Sequence, residues 1–445
     1  MEPKIYHASD HDIDQALIDT DAIQIIQRLK NAGFLAYLVG GSVRDLLVKK
    51  KPKDFDISTS ALPEEIKQIF QRSCILIGRR FRLAHIYFGH KVFEVSTFRT
   101  GENDSDIIVH DNMWGTPEED VLRRDFTING LFYDPPSHTV IDYVGGWNDI
   151  HKNTLRTIGD PVTRFKQDPV RMIRLLKFQA RFNFNVDEKS QKALERCHEE
   201  ILKSSPARLL EEMLRMLESG TSEPFFRLMV DYKLLEHLFP CLNFFLQGKF
   251  AEDVYTYLKS ADKLNAFTPT KPLDRSLLTA CLIYPMLEKE INDQYLKYGK
   301  VPSFAEILLL TGSLIKGVLT SSFSQFPKRI TMTISFILTA QYRLTPIAKN
   351  KKHQKPKLIF NKEYELALQF LMIRSHVNES LIDEYNWWCH LFREIARQSS
   401  PNGHHHVAPS QIAFTSERRK KSNKEEEVRH HKLLTHLQKE MENGE

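Results

Sequence analysis

The sequence predicts an α+β protein in which a small mixed sheet with helices forms a head, an all-helical neck and body follow, and a charged, flexible tail closes the chain. Three observations carry this. Apolar residues recur with period two from Cys74 to Phe98, the signature of strands. From Phe225 to about Gln398 nearly every segment has helical spacing instead. After Pro401 the sequence turns to basic and acidic runs without apolar periodicity.

Length and composition bound the rest. The 445 residues suffice for two to four domains, and 41% hydrophobic with 27% charged residues describe a globular chain with a well-charged surface. A net charge of +5 matters only where the basic groups cluster. Five scattered cysteines, an odd number without metal-type spacing, point to free thiols and a reducing compartment. No signal peptide is visible after Met1, and the longest apolar run, Ile307–Ile315, is too short to span a bilayer. The expectation is a cytoplasmic protein with a flexible lead-in (1–19), a head (20–150), a neck (151–220), a body (221–400) and a tail (401–445).

Taken in order, Ala22, Ile26 and Leu29 define a first helix, with Thr20 or Asp21 as its cap and Gly33 as its stop. Ala36–Val39 reads as a buried strand ending at Gly40-Gly41, a pair that permits a tight turn and close approach of backbone to a ligand. Val43–Val48 continues as a short helix whose first N–H groups, with the guanidinium of Arg44, suit a phosphate. After the basic run Lys49–Lys53, Asp54-Phe55-Asp56-Ile57 reads as a second strand. Its alternation points Asp54 and Asp56 to one face and Phe55 to the core. Two such carboxylates repel unless a cation lies between them, and Mg²⁺ favours one or two carboxylates plus phosphate oxygens. An isolated Asp-x-Asp is more often a solvated pair; the Gly-Gly-x-x-Arg-Asp turn upstream reverses that reading. The pattern suggests nucleotidyl transfer assisted by two metals about 3.5–4 Å apart.

Pro63 opens the next helix, with Ile66, Ile69 and Phe70 on its inner face, and Leu83–Phe88 with Val92–Phe98 form a hairpin around Gly89-His90. The basic turn Gly78–Arg82 falls between strands, and 100–115 is a polar loop. Arg123-Arg124-Asp125 with Asn129 offers cations for phosphate and acceptors for a ribose hydroxyl. Gly145-Gly146 marks the end of the head. In the neck, Asp168 is the expected cap of a helix with Pro169 at its first position. Met172, Ile173, Leu175, Leu176 and Ala180 form one arc of that helix. Arg171, Arg174, Lys177 and Arg181 form the other, available to nucleotide or RNA. Pro206–Leu217 is a further amphipathic helix whose Arg208 and Glu212 pair with each other or with preceding helices. Trp387-Trp388 suits either base stacking or a helical core, and Lys349–Lys357 suits a phosphate backbone. The run His404–His406 reads as solvated.

LVGGSVRD followed by KPKDFDIS resembles the head of the class II tRNA nucleotidyltransferase and bacterial poly(A) polymerase family. RRDFTINGL resembles its second motif, and Gln167-Asp168-x-x-Arg171 its EDxxR motif, with glutamine in place of the usual glutamate. GRRFRLAHI, PARLLEE and FPKRITMTISFILTAQYRLT are similar to the poly(A) polymerase branch. The resemblance implies a nucleotidyltransferase head in which Asp54 and Asp56 hold Mg²⁺ and Asp125 completes a catalytic acidic set. It implies that Gly40, Gly41, Arg44 and Arg124 contact the triphosphate, that Asn129 orients the sugar, and that Asp168, Arg171 and Arg174 set the choice of base. The implied activity is addition of AMP from ATP to RNA 3′ ends (of mRNA, tRNA or small RNAs), releasing pyrophosphate, in mRNA polyadenylation and RNA turnover. Addition of CCA to tRNA is the sibling activity, and a catalytically silent RNA-binding protein the reading from another class.

Overall fold

The computed structural model describes residues 2–78, 83–100, 114–267, 272–320, 323, 326–347 and 357–398. The expected basic turn at Arg79–Arg82, most of the polar loop, the patch 349–356 and the tail with His404–His406 lie outside these residues. The described chain divides into two compact units, 1–216 with 221–248 and 318–325, and 217–220 with 249–317 and 326 onward.

The first unit is built on an eight-stranded sheet of β1 (Lys4–Tyr6), β2 (Ala36–Val39), β3 (Ile57–Thr59), β4 (Cys74–Ile77), β5 (Leu83–Phe88), β6 (Lys91–Thr97), β7 (Leu131–Asp134) and β8 (Thr139–Asp142). Their order is β1-β8-β7-β2-β3-β6-β5-β4. Only β3 and β6 pair in parallel, so the sheet is mixed, as the sequence predicts. The expected lead-in is corrected at its start. Lys4–Tyr6 pairs with β8, and Tyr6 stacks on Trp147 at 4.1 Å, so backbone pairing and ring contact order an otherwise polar segment.

Helix α1 (Thr20–Asn31) buries Ala22, Ile25, Ile26 and Leu29. Its cap is Asp19, whose carboxylate accepts the Asp21 N–H at 3.0 Å, rather than Thr20 or Asp21. Helix α2 (Gly41–Leu47) follows the glycine turn, and α3 (Pro63–Phe70) buries Ile66 and Phe70. Two short helices, α4 (Pro117–Leu122) and α5 (Gly146–His151), escaped the periodicity reading because six residues span fewer than two turns. The start of α5 is fixed by Asp142, whose carboxylate accepts the N–H groups of Val144, Gly145, Gly146 and Trp147. A side chain on Gly146 would meet the Thr127 carbonyl oxygen at 2.1 Å, which explains the second glycine of the pair.

The short pair β9 (Thr154–Leu155) and β10 (Asn185–Val186) flanks α6 (Pro161–Gln167) and α7 (Val170–Phe182), and α8 (Glu188–Cys197) and α9 (Pro206–Leu217) follow. The apolar arc of α7 is buried at Met172, Ile173, Leu175 and Leu176. Helices α10 (Ser222–Asp231), α11 (Leu234–Leu238) and α12 (Pro240–Leu246) complete this unit.

Among the described residues the second unit holds helices and no strand: α13 (Ala251–Phe267), α14 (Arg275–Gln294), α15 (Phe304–Ile315), α16 (Lys328–Leu344), α17 (Tyr364–Val377) and α18 (Ile382–Gln398). Helix α14 is buried on nearly all sides from Ser276 to Leu287 and serves as its core. Arg374 is buried on α17, where it donates to Gln341 and Thr345 and lies over the Tyr284 ring. All five cysteines are free thiols, and no helix among the described residues is long and apolar enough to cross a membrane.

The paired tryptophans separate cleanly. Trp388 is 1% exposed and donates its indole N–H to the Leu344 carbonyl at 2.9 Å, whereas Trp387 is 41% exposed. Replacing Trp388 by alanine is therefore expected to cost about 3–5 kcal/mol. The Trp387→Ala change loses the edge-on contact with the Trp388 ring at 4.7 Å and should cost less, about 0.5–1.5 kcal/mol. Urea unfolding of both variants checks the contrast.

Candidate active site

The site forms where β2 ends. Gly40 turns the chain at φ +70, a conformation restricted largely to glycine, and its N–H reaches the Leu131 carbonyl of β7. Beside it, the stretch entering β3 alternates as predicted, with Asp54 and Asp56 outward and Phe55 and Ile57 buried. Regular strand begins only at Ile57, although Val39 N–H already bonds the Asp56 carbonyl at 3.1 Å. The parallel register sets Ile57 opposite Val95, and one step back brings Asp56 beside Glu94 of β6. One step forward, the hydroxyls of Ser58 and Ser96 meet at 3.2 Å. Arg124 closes this face. It donates to Asp120 at 2.7 Å and to Ser58 at 3.4 Å, and its Nη1 lies 3.3 Å from where a Gly40 side chain would stand.

Electrostatics mark this corner. The Asp56 carboxyl is pushed up to about 6 by the protein packed around it, then by the charges of Glu94 and Asp54, with Arg124 opposing. Neither Asp54 nor Asp56 has a hydrogen-bond or ion-pair partner among the described residues, and Glu94 faces only His85, at 3.5 Å. Asp56, with the charges of Glu94 and Asp54 near it, offers carboxylate oxygens of the kind Mg²⁺ takes. Glu94 was not singled out from the sequence. Its outward position in VFEVSTF was legible, but its neighbour follows from a pairing between strands 38 positions apart.

Asp125, expected to complete the acidic set, is committed elsewhere. One oxygen accepts Phe126 N–H and Asn129 Nδ2 at 2.8 and 3.0 Å, and the other accepts Arg174 Nε and Nη2 at 2.8 and 2.7 Å. Despite burial, Arg174 above all, with Asn129 and the Phe126 N–H, holds its carboxyl below the usual range. Asn129, expected at the sugar, is buried and accepts Arg44 Nη1 at 2.6 Å with its other end. Arg44, expected at the triphosphate, is 4% exposed. Its remaining nitrogens donate to Asp45 at 2.9 and 2.7 Å, and its plane lies over the rings of Phe178 and Phe182. Burial depresses this guanidinium while Asp45 supports it.

The basic arc of α7 is likewise occupied. Arg174 takes Asp125, Arg181 takes Asp45 at 2.8 Å, and Lys177 takes Glu212 of α9 at 3.2 Å. Arg171 donates to the carbonyls of Arg164 and Arg123. Asp168 does not cap α7 with its side chain. Pro169 holds the cap position, and one Asp168 oxygen is drawn away to Arg208 of α9 at 2.9 Å. The other oxygen is buried without a hydrogen-bond partner among the described residues. Arg208 and Glu212 thus pair with preceding helices and not with each other, and Gln167 is exposed at the end of α6.

Comparison with known proteins agrees with this geometry. Residues 36–156 match the family model "Poly A polymerase head domain". Residues 183–246 match "Probable RNA and SrmB-binding site of polymerase A", and 318–426 match "Polymerase A arginine-rich C-terminus". The chain is 34% identical to poly(A) polymerase I of Salmonella typhimurium over 85% of its own length and 83% of that protein. It is 38% identical to a CCA-adding enzyme of Lactobacillus helveticus over 48% of its own length and 54% of that protein. Among solved structures it resembles the Bacillus stearothermophilus CCA-adding enzyme in complex with CTP, with TM-score 0.54, 25% identity, and coverage of 82% and 81% of the two chains.

The buried Arg44–Asp45 pair yields an asymmetric expectation. Asp45→Ala strands a buried guanidinium and should cost about 3–5 kcal/mol. Arg181→Ala leaves Asp45 Oδ1 with Arg44 but removes the partner of its buried Oδ2, and should cost less, about 1–3 kcal/mol. Urea denaturation distinguishes the two, and equal losses would contradict the assignment of Arg44 as the dependent partner.

Proposed function

The chain belongs to the bacterial poly(A) polymerase family within the tRNA nucleotidyltransferases, and from that premise we propose that it adds AMP from ATP to RNA 3′ ends without a template. In this reading the head, residues 20–150, performs the chemistry, the neck, 151–220, reads the incoming base, and the body, 221–400, engages RNA.

Asp54, Asp56 and Glu94 would hold the divalent ion, since they offer carboxylate oxygens with no competing partner beyond His85 among the described residues. Held there, Mg²⁺ would supply charge neutralisation for the α-phosphate and the pyrophosphate leaving group when the RNA 3′-hydroxyl attacks. Arg124, part-exposed beside Asp56 and fixed by Asp120, is placed to meet triphosphate oxygens. The Gly40 turn leaves room for that guanidinium. Arg44, Asn129, Asp125 and Arg174 act as positioning residues, because their polar groups are spent on one another.

Base reading falls to Asp168 and Arg171. The unpartnered Asp168 oxygen can accept from an exocyclic amine, and a guanidinium can donate to the adjacent ring nitrogen. Adenine and cytosine both present that amine-plus-acceptor edge, whereas guanine and uracil do not. The pair therefore favours ATP and CTP over GTP and UTP without choosing between them. The observation that supports polymerase over CCA addition is the extent of sequence likeness. The 34% identity to the Salmonella polymerase extends over 85% of the chain, and 318–426 match a polymerase A model. Likeness to the Lactobacillus CCA-adding enzyme covers about half of the chain, although the fold is shared with a CCA-adding enzyme over 82% of it.

The test is an extension assay with Mg²⁺ and either ATP or CTP, on a generic short RNA and on a tRNA lacking its CCA end. Long ladders from ATP on the generic RNA are expected. Addition that needs CTP and stops after three nucleotides on tRNA alone would overturn the polymerase reading. Asp54→Asn, Asp56→Asn and Glu94→Gln should each lower the rate by about 10³-fold or more, because several kcal/mol of transition-state charge stabilisation depend on the ion. Asp125→Asn should retain more activity than these three. A Glu94→Gln enzyme with undiminished turnover would remove Glu94 from the acidic set.

A further inference from the structure

One cluster of ligand-type side chains has no part in the chemistry above. His198 opens the 3₁₀ segment His198–Lys203 after α8, and Glu236 and His237 lie on α11. His198 Nδ1 and His237 Nε2 are 2.8 Å apart, with their rings stacked at 5.0 Å and 21°. A Glu236 carboxylate oxygen lies 3.7 Å from His237 Nε2, and one ligand atom from each residue falls within 4.8 Å of the others. All three side chains are half-buried, so the cluster keeps an open side toward solvent.

These separations bracket the roughly 3.3–3.4 Å expected between tetrahedral ligands about 2.0–2.1 Å from one zinc ion. Two imidazole nitrogens and one carboxylate oxygen form a borderline donor set that favours zinc-type cations over Mg²⁺ or Ca²⁺. Without a cation, the two nitrogens can approach only by sharing a single proton. With one, His198 binds through Nδ1 and His237 through Nε2, and each keeps its remaining ring N–H for an outer partner. We propose that His198, Glu236 and His237 form a zinc-binding site, its fourth position open to water. The ion would pin the His198–Lys203 segment to α11 across a separation of 39 positions, inside the 183–246 region matched by the RNA-binding family model. The acidic corner at Asp54 and Asp56 is a different site, built of oxygens alone.

The test uses the full chain, stripped of metal by chelation and titrated with Co²⁺ in excess Mg²⁺, which occupies the carboxylate site. One equivalent should produce the visible absorption of four- or five-coordinate cobalt, and Zn²⁺ should displace it. The band should persist in a variant with His404, His405 and His406 replaced by alanine, and it should vanish in His237→Gln. Glu236→Gln is a change at a 39%-exposed side chain that leaves packing intact. It should weaken Co²⁺ binding at least about tenfold, since even outer partners of a metal site contribute about 10–100-fold. Zn²⁺ should raise the melting temperature of the unmodified chain but not of His237→Gln. An absent band in the unmodified chain, or bands of equal affinity in both variants, would overturn the site.

Discussion

The first unit depends on a buried guanidinium. Arg44 sits in the interior beside Asp45, and a charge taken out of water is tolerated only where its partners are complete. Asp45 and Asn129 complete it, and each carries the requirement onward. Asn129 binds Asp125, Asp125 binds Arg174, and Asp45 binds Arg181. Arg44 therefore cannot be seated unless the turn after β2, the turn before β7 and helix α7 are all in register. A pair of this kind adds little net stability over an apolar replacement, because desolvation offsets most of the attraction. Its consequence here is positional, since it leaves one way to bring α7 against the sheet.

That register is what opens the acidic corner. With Asp125 neutralised by Arg174, the carboxylates left without a cation of their own are those of Asp54, Asp56 and Glu94, at the mouth of β3 and β6. The protein packed around Asp56 raises its carboxyl, and repulsion from the charges of Glu94 and Asp54 adds to that. Arg124 relieves part of that repulsion but is itself anchored by Asp120, whose carboxyl its two arginine neighbours hold below the ordinary range despite burial. The head thus concentrates uncompensated negative charge at one point and a restrained positive charge beside it, an arrangement that a cation and a polyphosphate together would balance.

Much of this was legible in the sequence, in proportion to how local each feature is. The strand–Gly-Gly–helix turn, the alternation at Asp54–Ile57, the β5–β6 hairpin and the apolar arc of α7 are set by neighbours within a few residues, and all are found. What could not be read is set by pairing between distant segments. Glu94 became an active-site neighbour through the β3–β6 register, and Lys4–Tyr6 became a strand through β8. Arg44, Asp125 and Asn129 were read as separate contacts to triphosphate, metal and sugar, and their bonding to one another was not legible. A motif specifies residue types and spacing, while side-chain direction depends on the partner across the fold. Asp168 shows the same limit: its expected local cap was displaced by a stronger charged partner, Arg208, from another helix.

The occupied arc of α7 also constrains how specificity can arise. Arg174, Lys177 and Arg181 are spent on holding the neck together, so they cannot double as a free basic rail for RNA without breaking pairs that seat the head. In the proposed reading an incoming base would meet the unpartnered Asp168 oxygen and the Arg171 guanidinium, which donates here to the carbonyls of Arg164 and Arg123. On that reading, discrimination between a purine and a pyrimidine would come from distance, from how far these two groups would stand from a sugar and triphosphate held at β2 and β3. Helix α9 would set part of that distance, because Arg208 pairs with Asp168 and Glu212 of the same helix pairs with Lys177. A neck helix without any proposed catalytic group would in this way be coupled to substrate choice, and the PARLLEE segment that resembles the polymerase branch is the segment that supplies both contacts.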